Sequence, residues 1–313
     1  MPLYQKVEIQ SSHSRIEYRT ECATGLSCRI SPLRGIRGIN PASFSPVYQY
    51  ESENCPFCRS YIFSSTEPFS DGKWITRGES LTFPNLYPFA DRHTVTVITE
   101  AHMVDQFSAS HIRDAIIGSA ESLKDYPGFP SIHWNFLPSA GASLMHPHLQ
   151  GIADHLPTAL CALYLKASEE TANRDYWDYL VEEETGGPRH LFGEEIFWYA
   201  NPVPIGECEI RGILPVRTMP EIISYADVLA QGLITIIKLY RSLGSYAFNM
   251  GIFFKKTGSA ANDGMHAFCS LIARINPNPD AISDSAFMER ICREPVVMTL
   301  PEKIRDYLPS LIV

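Results

Sequence analysis

Apolar and polar residues alternate over 14–40 in the manner of strands broken by turns. At 94–98 the run Thr-Val-Thr-Val-Ile is rich in β-branched residues and predicts a strand. The period then changes. Ser110 is placed to cap a helix running to about Leu123, with Ile112, Ala115, Ile116 and Leu123 on one face. Residues 131–136 alternate again, and 144–152 predict the next strand. A mainly helical passage over 157–183 gives way to the Gly186-Gly187-Pro188 breaker. Beyond it, 196–199 and 209–214 read as strands, 227–243 as a helix, and 246–254 and 266–275 as two more strands.

Strand, strand, helix, strand, strand thus occurs twice, and Trp134-Asn135-Phe136 is echoed by Phe248-Asn249-Met250. The pattern predicts an α+β fold with a duplicated unit, mainly antiparallel sheet with flanking helices. We divide it into an N-terminal half, 1–165, and a C-terminal half, 166–313.

Composition changes this picture little. The 313 residues are 45% hydrophobic and 19% charged, enough to bury a core and unlike a disordered chain. A net charge of −9 argues against a nucleic-acid binder, so an anionic ligand has to be received locally by a few donors. The N-terminal residues lack the apolar run of a signal peptide, and no stretch approaches the roughly 18 consecutive apolar residues of a membrane span. We expect a cytoplasmic protein with no membrane partner. The cysteines are scattered, and only Cys55 and Cys58 form a close pair.

The chemistry is concentrated in His146-Pro147-His148-Leu149-Gln150. On a strand these three polar side chains share one face, because side chains alternate with period two. One imidazole is then free to bind a metal while the next attacks an electrophile. Cys55 and Cys58, at Cys-x-x-Cys spacing, would complete a tetrahedral zinc site with His102 and His146. A redox pair, two inert thiols, and His93 as a rival ligand are the alternatives. With four protein ligands the Zn2+ would be structural.

His148 is the candidate nucleophile towards phosphorus, provided one ring nitrogen is free and the other is held as a donor. Gln150 hydrogen-bonds a phosphate oxygen but cannot supply a proton by titration, which suits a leaving group that is already a phosphate. Gly141-Ala142-Ser143 offers backbone and a hydroxyl, Asn135 an amide, and Arg34 and Arg37 the nearest basic pair. The plainer reading makes these turn, strand-end and solvated-loop residues.

Five segments carry a resemblance. Glu17-Tyr18-Arg19-Thr20 with Ser31-Pro32-Leu33-Arg34, the knuckle Asn54-Cys55-Pro56-Phe57-Cys58, the loop Asn85-Leu86-Tyr87-Pro88-Phe89, Thr99-Glu100-Ala101-His102, and 135–150 occur in this order. Together they resemble the galactose-1-phosphate uridylyltransferase family of the histidine-triad superfamily. The resemblance places Asn85 in the nucleotide-binding loop and Ser143 at a phosphate-binding serine. It implies a dimer with ping-pong kinetics: a UDP-hexose gives UMP to His148, and a second sugar 1-phosphate takes it away. In the second half, Trp198 to Pro204 and Gly212-Ile213-Leu214-Pro215 look like the second repeat. Typical members carry another metal there through a His-x-His; this chain has Ile272-Ala273-Arg274, so no second metal is expected. The family's hexose-phosphate contacts find no match around 294–302. A phosphorylase that uses inorganic phosphate to cleave an ADP-sugar or dinucleoside polyphosphate is the first alternative. A zinc-stabilised nucleotide-binding protein without turnover is the second.

Overall fold

The computed structural model of the protein describes residues 2–11, 14–36, 54–102, 106–170, 175–259, 264–274 and 285–308. The alternating N-terminal segment forms an antiparallel meander of β1 (Tyr4–Ser11), β2 (Ser14–Glu21) and β3 (Ser27–Ile30). The main sheet then begins with β4 (Ile75–Arg77), β5 (Ser80–Pro84), β6 (Arg92–Val97), β7 (Phe129–Phe136) and β8 (His148–Asp154). It continues with β9 (His190–Phe192), β10 (Phe197–Ala200), β11 (Ile210–Ile213), β12 (Ala247–Phe253) and β13 (Phe268–Arg274). Near the C-terminus β14 (Val296–Val297) joins β3 in parallel and closes the small sheet.

The order across the ten-stranded sheet is β4-β5-β6-β8-β7-β12-β13-β11-β10-β9. Read outward from the centre, the two sides repeat: β7-β8-β6-β5-β4 and β12-β13-β11-β10-β9. Each block runs three strands, a helix, two strands. In the second block the unpredicted strand is β9, with three residues, too few to show alternation; in the first, β4 and β5 are both unpredicted, because the strands read over 14–40 form the separate small sheet. At the centre β7 pairs antiparallel with β12, and Asn135 stands opposite Asn249. Those two asparagines mark an approximate two-fold axis.

The Ala109–Leu123 and Ala226–Ser242 helices lie together on one face of the sheet. The first buries the predicted face of Ile112, Ala115, Ile116 and Leu123 against Trp134, Phe136, Leu149 and Phe248. Its cap is Ser108, whose hydroxyl accepts the His111 N–H at 3.2 Å; Ser110, the expected cap, is already inside the helix. The second belongs to a 24-residue stretch, Met219–Ser242, apolar enough to cross a membrane by length and composition. Here its apolar stripe is core: Leu229, Leu233, Ile236 and Tyr240 are buried. The predicted helical passage forms two helices, Ala159–Glu170 and Tyr176–Glu184, which cover the C-terminal half of the opposite face through Tyr164, Trp177 and Phe268. That leaves the other half of this face for the site.

Candidate active site

The strand at residue 144 begins later than predicted. β8 starts at His148, so His146 and Pro147 lie on the approach to it. The Pro147 carbonyl still accepts the Ile98 N–H at 3.0 Å, which ties the approach to the segment after β6. Within β8, His148, Gln150 and Ile152 alternate onto one face. Register sets His148 opposite Val97, Gln150 opposite Val95, and His133 of β7 on the other side of Gln150.

Cys55, Cys58, His102 and His146 converge as predicted, their ligand atoms all within 4.8 Å of one another. Cys55 Sγ and Cys58 Sγ each lie 3.8 Å from His146 Nδ1, and Cys58 Sγ lies 3.4 Å from His102 Nδ1. A tetrahedral zinc with ordinary Zn–S and Zn–N bonds sets sulfur and nitrogen about 3.6 Å apart. The His146 Nε2–H donates to the Thr99 carbonyl at 2.8 Å, which fixes the tautomer and leaves Nδ1 as the ligand atom. Burial, and then the neighbouring Cys55, push the Cys58 thiol up to about 11, while burial pushes His146 down to about 4. Thiols in such a place ionise only beside a cation, which disfavours a redox pair. The one-turn helix after the knuckle, Ile62–Ser65, starts four residues beyond Cys58 and is too short to activate it. The residues fit zinc.

The knuckle also shapes the neighbouring ring. Phe57, between the two cysteines, packs edge-on against His148 with centroids 5.3 Å apart. His148 Nδ1–H donates to the His146 carbonyl at 2.8 Å. Its Nε2 makes no hydrogen bond to a described residue, and burial lowers its pKa, so the ring is neutral with one lone pair available.

A cavity of about 390 Å3 opens over the central strands, lined by residues of both halves; Gln150, two residues along β8, lines it, and the buried His148 is not among the lining residues. Gln150, His133 and Asn135 come from the first half, Asn249, Ser270 and Ile272 from the second, with Phe89 and Leu160 at the sides. His93 is not with the metal ligands. Its Nε2 lies 2.9 Å from Gln150 Oε1 and 3.1 Å from Asn85 Nδ2, so it sits between two of the predicted nucleotide-binding residues, its one ring proton serving Gln150 Oε1 while Nδ1 accepts the Phe89 N–H at 3.4 Å. Asn85 Oδ1 in turn accepts the Tyr87 N–H at 2.8 Å and shapes that loop. Ser143 is exposed on the loop before the histidines. Arg34 is exposed on the short turn Pro32–Ile36, beside Met298, and does not line the cavity. Arg37 lies outside the described residues.

Sequence reasoning missed Phe57, His133 and Asn249. The middle of the Cys-Pro-Phe-Cys knuckle was a signal for the first. The echo of Trp134-Asn135-Phe136 in Phe248-Asn249-Met250 was a signal for the last.

No family model matches the chain. An uncharacterized protein of Archaeoglobus fulgidus is 32% identical over 215 residues, so the match spans 64% of this chain and 64% of that relative. Among solved structures, an ADP-glucose phosphorylase from Arabidopsis thaliana superposes with a TM-score of 0.71 at 17% identity, covering 95% of this chain and all of that one. A uridylyltransferase superposes at 0.68 and 18% identity, covering 94% and 97%. The chain therefore has the fold shared by the uridylyltransferase and ADP-glucose phosphorylase structures, the fold of the galactose-1-phosphate uridylyltransferase family.

Proposed function

We propose that the protein is a nucleotidyltransferase that works through a covalent nucleotidyl-histidine at His148. The observation that carries this reading is the state of that ring: Nδ1–H fixed on the His146 carbonyl at 2.8 Å and Nε2 without a partner among the described residues. The Nε2 lone pair attacks the α-phosphorus of a nucleoside diphosphate sugar, UDP-hexose by resemblance. The bond from that phosphorus to the bridging oxygen breaks, and sugar 1-phosphate leaves with the electron pair, needing no proton. The imidazolium that forms is stabilised by its short hydrogen bond to the His146 carbonyl. An oxygen of an incoming sugar 1-phosphate then attacks the same phosphorus and frees His148.

Cys55, Cys58, His102 and His146 would hold Zn2+, whose role is to fix the knuckle and the His146 backbone that aims the nucleophile. Gln150, braced by His93, and Asn135 are the donors to the transferring phosphoryl group, and Ser143 stands on the adjacent loop. Nucleotide loop residues around Asn85 adjoin them through His93. We also propose Arg34 and Arg37, the nearest basic pair in the sequence, as donors to the nucleotide's phosphates. The protein acts in this reading as a cytoplasmic homodimer.

A second reading keeps the intermediate and changes the acceptor to inorganic phosphate. The ADP-glucose phosphorylase with the same fold over 95% of the chain supports it. Incubation with α-phosphate-labelled UDP-, ADP- and GDP-sugars tests both. Label is expected on His148, absent in His148→Ala, stable to water, and released by either hexose 1-phosphate or phosphate, which decides the acceptor. Label on another residue, or rapid release by water alone, counts against the mechanism. Metal analysis of the same sample is expected to give about one zinc per chain, lost in Cys55→Ser.

A further inference from the structure

The second half lacks the histidines, yet it reaches the site through one chain of hydrogen bonds. Asn249 Nδ2 donates to the Ala140 carbonyl at 2.8 Å and to Asn135 Oδ1 at 2.7 Å. Arg274 Nη1 donates to Asn249 Oδ1 at 2.7 Å. Two of these partners work in one sense only: a carbonyl accepts and a guanidinium donates. They leave Asn249 a single amide orientation, with its NH2 towards Asn135. Asn135 must then offer its oxygen to Asn249 and turn its own NH2 the other way.

Asn135 is one of the residues that line the cavity. Gly141, at φ +90°, begins the Gly141-Ala142-Ser143 segment, and the nearest atom to a Cβ placed there is Asn135 Nδ2, 4.0 Å off. No described residue accepts a hydrogen bond from this nitrogen.

Register says where the relay comes from. With Asn135 and Asn249 on the approximate two-fold, His133 corresponds to Ala247. Gln150 stands opposite His133, and Arg274 opposite Ala247. Arg274 therefore occupies the second half's copy of the Gln150 position, and Ile272 the copy of the His148 position.

We propose that Arg274 and Asn249 are positioning residues that lock the Asn135 amide with its NH2 towards the transferring phosphoryl group. The inference rests on the nucleotidyl-histidine reading. It gives the second half a task in the reaction: the strand position that holds a phosphate donor in one half holds, in the other, the cation that orients one.

The test is a double-mutant cycle on the single-turnover rate of His148 labelling at saturating donor, with zinc content and thermal melting recorded for each variant. Asn135→Ala is expected to slow labelling about a hundredfold, as loss of a donor to developing charge does. Asn249→Ala is expected to slow it about tenfold. In the Asn135→Ala background, Asn249→Ala is expected to change nothing further, because there is no amide left to orient. Asn249→Asp keeps the size and offers only acceptors, so it reverses the Asn135 amide and is expected to be slower than Asn249→Ala. Arg274→Met, which frees Asn249 Oδ1, is expected to slow labelling in the wild-type background and not in Asn135→Ala. Losses that multiply in the double variant, or an Asn249→Asp protein as fast as wild type, overturn the relay while leaving the transfer reading intact. A wild-type protein that takes no label overturns the transfer reading and the relay with it.

Discussion

At the scale of single residues, the site depends on which atom of each polar group is held and which is left over. His148 has one nitrogen bound and one without a partner among the described residues; Gln150 lies 2.9 Å from His93. The proposed chemistry requires Gln150 to be neutral, since the phosphorus it would face is already ringed by anionic oxygens. Gln150→Glu keeps the length and replaces a donor by a charge of the wrong sign. Its labelling rate is expected to fall about a hundredfold or more, with little change in melting temperature, because the side chain is partly exposed. Stopped single-turnover labelling checks this; a rate within a few-fold of wild type removes Gln150 from the phosphate site. Much of this scale was legible in the chain, because ligand and nucleophile residue types are few and their spacing is tight. Cys55, Cys58, His102 and His146 were found that way and do converge. Phe57, His133 and Asn249 were not, since an aromatic ring, a half-buried histidine and a strand asparagine have common structural uses that only coordinates separate from a place at the site.

At the scale of elements, the strands predicted from alternation and the helices predicted from 3.6-residue periodicity appear where their apolar faces have something to cover. Residues 129–136 and 247–253 were legible for that reason. Short edge strands such as β9, and the parallel pairing of β14 with β3, were not: two or three residues carry no period, and their partners are far away in sequence. The small sheet is fastened by charge as well as by the apolar packing of Cys28, Ile30 and Val297 against Val203. Glu302, after β14, accepts hydrogen bonds from Arg19 of β2 at 2.9 Å and from Arg189, just before β9, at 2.7 Å. Burial alone would raise the Glu302 pKa, but the hydrogen bonds and charges of the two arginines outweigh it and hold the carboxyl down at about 2. A folded-state pKa below the usual carboxylate value of 4.5 means the unfolded chain takes up the proton first. The stability from this carboxylate is present above about pH 4.5 and drains away as pH falls towards 2. Glu302→Gln is expected to melt at lower temperature than wild type at pH 7 and to show a shallower loss between pH 4.5 and 2. Equal melting temperatures at pH 7 and parallel acid limbs would show that the carboxylate is not what joins the two sheets.

At the scale of the whole molecule, the ten-stranded sheet repeats the strand positions of the proposed site on its other side without repeating the residues. Around the approximate two-fold through Asn135 and Asn249, Ile272 stands where His148 stands, and Arg274 where Gln150 stands. The opposite face of the second half is closed by Tyr164, Trp177 and Phe268, and below them Arg211 and Glu209 pair at 2.7 Å with no exposure to solvent. An apolar side chain cannot attack phosphorus, and a face packed with aromatic rings cannot admit a nucleotide, so in the proposed reaction bond making falls to the first half alone. The cavity nevertheless takes lining from both halves, which is why a single half would not be expected to bind a donor well. The consequence is a stoichiometry. At saturating donor without acceptor, intact-mass measurement is expected to find one nucleotidyl group per chain and no second addition, however long the incubation. The ratio is expected to remain one per chain in Ile272→His, because a histidine there still lacks the knuckle that presses Phe57 against His148 and the carbonyl that holds its Nδ1. Two groups on the wild-type chain would mean that the second half had kept its own nucleophile and that the division of labour across the two-fold is wrong.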